Sequence, residues 1–105
     1  MAWLAAARVT DIEENGCIGV EVGPIRLAIF NLGGTYYALD NICTHRFAFI
    51  SEGCIDGEYI ECPMHQGRFH IPSGAAQGAP VTKPLKSYPT RIDGTAVMVE
   101  VPDAS

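Results

Sequence analysis

Short runs of alternating apolar and polar residues, cut by Gly, Pro and Asp-Gly, fill most of the chain. Cys17–Val22 and Ile25–Phe30 are two such runs, with Gly23-Pro24 between them as a tight turn. A first strand ends near Val9-Thr10, and Leu32-Gly33-Gly34-Thr35 turns the chain before Tyr36–Asp40. Asp56-Gly57 reads as a two-residue turn joining Gly53–Ile55 to Glu58–Glu61. Asp93-Gly94 plays the same part between Tyr88–Ile92 and Ala96–Val101. No window of about a dozen residues carries a helical period. Strands this short, with turns this frequent, predict an all-β fold, a small antiparallel sandwich or barrel. Residues 71–86, with three prolines and two glycines, read as a loop over one end of the sheet.

Composition narrows the function classes. The 105 residues predict one domain, 1–105, with 48% hydrophobic residues to build its core. So small a chain buries a low fraction of its surface, so a metal would be a natural aid to stability. The net charge of −5 argues against a nucleic-acid binder, which needs excess Lys and Arg to neutralise phosphates. Apolar runs such as Leu27–Phe30 and Leu4–Ala7 fall far short of the roughly 20 residues of a membrane span. Met1-Ala2-Trp3-Leu4 has no basic region before an apolar stretch, so no signal peptide is expected and a cytoplasmic location is.

The candidate chemistry lies in Cys43-Thr44-His45 and Cys62-Pro63-Met64-His65, spaced C-x-H-x16-C-x2-H. Each pair follows an expected strand, and the hairpin between them would bring the two loops side by side. Thiolate with imidazole suits zinc or iron and poorly suits magnesium or calcium. Two metals fit. A structural zinc would take all four ligands tetrahedrally. A [2Fe–2S] cluster would take two thiolates on one iron and two imidazoles on the other. One Cys and one His in each loop suits the second arrangement.

Around these residues the chain resembles a known family. Cys43-Thr44-His45 and Cys62-Pro63-Met64-His65-Gln66-Gly67-Arg68-Phe69 match the two cluster loops of Rieske-type ferredoxins, electron carriers of bacterial ring-hydroxylating dioxygenases. Gly78-Ala79-Pro80-Val81 resembles the family's proline loop, and Pro84–Pro89 the segment before its last hairpin. The resemblance implies the Rieske fold, with a hairpin-based cluster-binding part at roughly 41–82. It implies one [2Fe–2S] cluster on Cys43, His45, Cys62 and His65. It also implies transient partners, a flavin-containing reductase and a terminal oxygenase, and a monomeric carrier that is not itself an enzyme. The rival reading is a zinc-stabilised interaction module without a redox role.

Departures from related patterns refine the expectation. Respiratory Rieske subunits carry an extra Cys in each loop, and here those positions resemble Ala48 and Met64. Those subunits also place Ser and Tyr donors where this chain has Gly67 and Phe69. Without such donors the potential should lie near the low end of a range of about −150 to +300 mV. Outside the motif only His70 remains, too little for the two His and a carboxylate of a mononuclear oxygenase iron. Cys17 and Cys54 are expected to be reduced core cysteines. His70 should be a surface or hydrogen-bonded structural residue. Gly53 and Gly67 should serve positive φ or close approach. The docking face is expected around Phe47, Ala48, Met64, Gln66, Pro80 and Val81.

Overall fold

The computed structural model describes residues 2–43, 48–63, 67–77 and 83–102. Eleven strands run through them: β1 (Ala2–Arg8), β2 (Gly16–Val22), β3 (Ile25–Leu32), β4 (Thr35–Asp40), β5 (Cys54–Asp56), β6 (Tyr59–Glu61), β7 (Arg68–His70), β8 (Ala76–Gln77), β9 (Ser87–Tyr88), β10 (Thr90–Asp93) and β11 (Ala96–Val101). Two 3-10 turns, Val9–Asp11 and Ile50–Glu52, are the helical segments among the described residues. All pairings between strands are antiparallel, in three sheets ordered β1-β11-β10, β2-β3-β4-β9 and β5-β6-β7-β8.

Strand β3 explains how the sheets stack. Leu27, Ala28, Ile29 and Phe30 are all 0% exposed. Successive side chains of a strand point to opposite faces. Leu27 and Ile29 join one apolar cluster with Val97, Val99 and Val101 of β11. Ala28 and Phe30 join another with Ile60 of β6 and Phe69 of β7. The β2-β3-β4-β9 sheet is therefore the middle layer, buried on both faces. Strand β4 repeats the division, sending Ala38 to the first cluster and Leu39 to the second. A continuous apolar run is what a strand buried on both faces requires.

The all-β reading holds with local corrections, one of which is that the expected strand Tyr88–Ile92 is divided at Pro89, Tyr88 pairing with β4 and Thr90–Asp93 with β11. Both Asp-Gly turns sit one residue further along than expected. Asp56 pairs with Tyr59, which leaves Gly57-Glu58 as the turn, and Asp93 pairs with Ala96, which leaves Gly94-Thr95. Gly57 (φ 62) and Gly94 (φ 63) occupy the first central position, as in type II′ turns. An Asp-Gly centre of type I′ would put Asp at positive φ, and Asn15 is the one described non-glycine residue there. The observed register sets Ile55 against Ile60 and Ile92 against Val97. Apolar cross-strand pairs outweigh the preference of the dipeptide. A further correction concerns residues 71–86, where Ala76–Gln77 forms a strand that pairs with β7.

Candidate metal centre

Cys43 and Cys62 stand where regular pairing stops. Cys62 follows β6 directly, after the Glu61–Arg68 pair closes the β6–β7 ladder. Its N–H donates to Gly67 O at 2.7 Å. Cys43 follows β4 by three positions. Its N–H donates to Ala48 O at 3.0 Å. Each Cys thus opens a six-residue stretch closed by a backbone bond to the residue five positions on. His45 falls in the first stretch and His65 in the second, and both lie outside the described residues.

The two cysteines share one packed cluster with Ala48, Ile50, Ile60, Phe69 and Leu85. Cys43 is 4% exposed and Cys62 1%. Two cysteine sulfurs in one apolar, water-poor cluster fit one iron of a [2Fe–2S] group, held by sulfur and shielded from solvent. Phe69 is fully buried in the same cluster and its ring offers no donor to sulfur. Gly67 is buried and likewise has no side chain to donate.

The base of the first stretch is laddered. Ile42 bridges Phe49, and Ile50 N–H donates to Asn41 O at 2.7 Å. Asn41 is 5% exposed, and its side-chain amide spans to Ser51. Ser51 N–H donates to Asn41 Oδ1 at 2.8 Å, and Asn41 Nδ2 donates to Ser51 Oγ at 3.0 Å. Sequence reasoning missed this pair. Its one available signal was Gly19 in the middle of a strand pattern, which marks close approach of another segment.

The remaining expectations sort cleanly. Cys17 and Cys54 are unbridged, as expected. Cys54, however, is exposed rather than core, because it lies on the outer face of edge strand β5. Cys17 is half-buried, and burial raises its thiol pKa, which keeps it a donor to Ser51 O at 3.5 Å. His70 is hydrogen-bonded through both ring nitrogens. Nε2 meets Glu58 Oε1 at 3.2 Å and Nδ1 meets Ser73 Oγ at 2.8 Å. A carboxylate only accepts, so the Nε2 proton points at Glu58. Gly53 makes the expected close approach, since a Cβ there would collide with Glu61 O. Ala48 is 7% exposed and belongs to the core rather than to a docking rim. Phe47, Met64, Gln66, Pro80 and Val81 lie outside the described residues.

Comparison with known proteins agrees with this geometry. Residues 2–89 match the Rieske [2Fe-2S] domain. The ferredoxin component of the naphthalene 1,2-dioxygenase system of Pseudomonas putida is 43% identical over 99 residues, covering 94% of this chain and 95% of that one. The Sphingomonas yanoikuyae B1 ferredoxin superposes with a TM-score of 0.91 at 34% identity, over 96% of this chain and 100% of that one. A chain from a complex of reduced oxygenase and oxidized ferredoxin in carbazole 1,9a-dioxygenase gives a TM-score of 0.86 at 35% identity, over 92% of this chain and 91% of that one. The zinc reading loses its support here, because the matched domain is defined by a [2Fe–2S] cluster. Two buried cysteines, each followed by a six-residue stretch closed by the same backbone bond, and a domain match that spans most of the sequence, lead to one assignment: the chain belongs to the Rieske [2Fe-2S] family and has one such cluster as its cofactor.

Proposed function

We propose that this protein is the ferredoxin of a ring-hydroxylating dioxygenase system. It carries one electron at a time from a flavin-containing reductase to a terminal oxygenase. The observation that carries this reading is the meeting of Cys43 and Cys62 in one buried cluster at the mouths of two equivalent loops. A 43% identity to a naphthalene 1,2-dioxygenase ferredoxin component, over 94% of the chain, supports it.

Cys43 and Cys62 would hold one iron as thiolates, and His45 and His65 would hold the other through a ring nitrogen each. The bound cluster supplies a reversible one-electron couple. The protein's own contribution is to keep the sulfurs dry, through the surrounding Ile50, Ile60, Phe69 and Leu85. It also withholds hydroxyl donors at Gly67 and Phe69, which leaves the reduced state without added stabilisation. A low potential suits donation to an oxygenase. The one histidine outside the two loop motifs, His70, is engaged by Glu58 and Ser73, and no group of three His, Cys, Asp or Glu gathers as a second metal site among the described residues.

Among the described residues no helix is long and apolar enough to cross a membrane. We place the carrier in the cytoplasm as a monomer with transient partners, in keeping with its unbridged Cys17 and exposed Cys54. The test is spectroscopic and kinetic. Purified protein should be red-brown, with a reduced-state electron paramagnetic resonance signal. It should also pass electrons from a flavoprotein reductase to a Rieske oxygenase. A colourless, zinc-loaded preparation would end the proposal.

A further inference from the structure

A structural device outside the four proposed ligands holds the first loop in place. Three segments converge on it. Asn41, two residues before Cys43, is nearly fully buried and donates its backbone N–H to Arg26 O of β3 at 3.0 Å. Its carbonyl accepts from Ile50, and its side chain exchanges two hydrogen bonds with Ser51. The chain leaves the ladder after Ile50 in a 3-10 turn. In that turn the Ser51 N–H donates to Asn41 Oδ1 at 2.8 Å, a side-chain acceptor. From below, β2 presents Gly19. A Cβ there would stand 2.8 Å from Asn41 Nδ2 and 2.7 Å from Ser51 Oγ. Cys17, on the same face of β2, donates to Ser51 O. The absence of a side chain at Gly19 is therefore what lets the pair seat on the middle sheet.

The two proposed sulfur ligands depend on different supports. Cys62 is held by the β6–β7 ladder of the third sheet. Cys43 emerges from the middle sheet through the Asn41–Ser51 pair. The position of each sulfur therefore depends on a different set of hydrogen bonds.

We propose that Asn41, seated by Gly19 and tied to Ser51, is a positioning residue that sets where the Cys43 sulfur stands relative to Cys62. This rests on the ligand assignment made above. Groups that orient a metal ligand typically alter metal affinity by about 10- to 100-fold when removed.

The experiment compares cluster-loaded proteins. Asn41→Ala, Ser51→Ala and Gly19→Ala are measured beside Val97→Ala, a control that opens the core on the other face of β3. The readouts are the rate of cluster loss to an iron chelator below the unfolding temperature, and the g-values of the reduced protein. Asn41→Ala should lose its cluster roughly 10-fold faster than wild type and show shifted g-values. Ser51→Ala, which removes only the Oγ partner, should do the same to a smaller degree, and it reads the effect if Asn41→Ala does not load. Val97→Ala should unfold more easily yet keep wild-type g-values and release. Release and g-values in the Asn41 and Ser51 variants no different from those of Val97→Ala would overturn the proposal. Cys43→Ala separates the two levels. A cluster retained there sinks the ligand assignment, whereas its loss together with a wild-type-like Asn41→Ala sinks only the positioning role.

Discussion

Gly67 and Phe69 lie two residues apart, one beside the second loop and one in the core shared with both cysteines. Neither can donate a hydrogen bond from its side chain. A hydroxyl at position 67 would stabilise the reduced, more negative cluster, so Gly67→Ser should raise the reduction potential. Voltammetry that finds the potential unmoved, with the new hydroxyl bonded to sulfur, would refute this view of the tuning. Tyr88 offers a second test at this scale. Its hydroxyl donates to Asp40 Oδ1 at 2.6 Å, and the ring is 8% exposed. Burial first, then the Asp40 hydrogen bond and charge, raise the phenol pKa above its ordinary value of 10.0. The unfolded chain therefore releases this proton before the folded one does as pH climbs. Stability linked to Tyr88 is complete below about pH 10 and is lost as pH rises toward the folded-state value. At neutral pH Tyr88→Phe should cost about 1.5 kcal/mol, the worth of a hydrogen bond to a charged acceptor. The gap between wild type and variant should narrow above pH 10. Urea unfolding from pH 8 to 11 measures it, and a constant gap would contradict the linkage.

At the scale of elements, two glycines in the β5–β6 region separate two kinds of constraint. Gly57 sits in the turn at φ 62 with open space around it, so Gly57→Ala meets only backbone strain, about 1 kcal/mol. Gly53 has an ordinary φ of −83, but a Cβ there would strike the Glu61 carbonyl. Gly53→Ala must therefore push β5 from β6 next to Cys62. It should cost about 2–3 kcal/mol and weaken cluster retention, which the turn variant should leave intact. Denaturation midpoints and visible absorbance of the two variants decide the matter, and equal effects would dissolve the distinction. The same strands show why both Asp-Gly turns were displaced from their expected positions. A dipeptide preference is local and small, whereas a one-residue shift would set Ile55 against Glu58 and Ile92 against Thr95, losing two apolar pairs.

Among the described residues two cores are separated by one sheet. The core that holds Cys43 and Cys62 joins the β5-β6-β7-β8 sheet to the middle layer, and the other joins β1-β11-β10 to it. Binding free energy of a metal group assembled from separate segments contributes to folding. Its removal should therefore act unevenly. Amide hydrogens of residues 54–77 should exchange much faster in cluster-free protein, while those of β1, β10 and β11 keep most of their protection. Hydrogen exchange read by mass spectrometry, with and without the cluster, tests this. Uniform acceleration across the chain would show a single cooperative unit instead.

Residue identity and spacing alone determined the all-β class, most strand positions and the candidate ligand set. Alternation is a local property of the chain, and the combination of two Cys and two His limits the metals that fit. Four things were decided only by the tertiary structure. Which face of β3 meets which sheet depends on partners far along the chain. The turn registers depend on apolar pairs across the hairpins. The short strand Ala76–Gln77 exists because β7 offers it an edge, although its own sequence carries no strand signal. The Asn41–Ser51 pair over Gly19 depends on three segments meeting, and although Gly19 inside a strand pattern marks a close approach, nothing along the chain names Asn41 and Ser51 as what approaches. Hydrogen bonds between residues distant in sequence form only once burial has removed competing water, so their partners are set by the fold rather than by the neighbours along the chain.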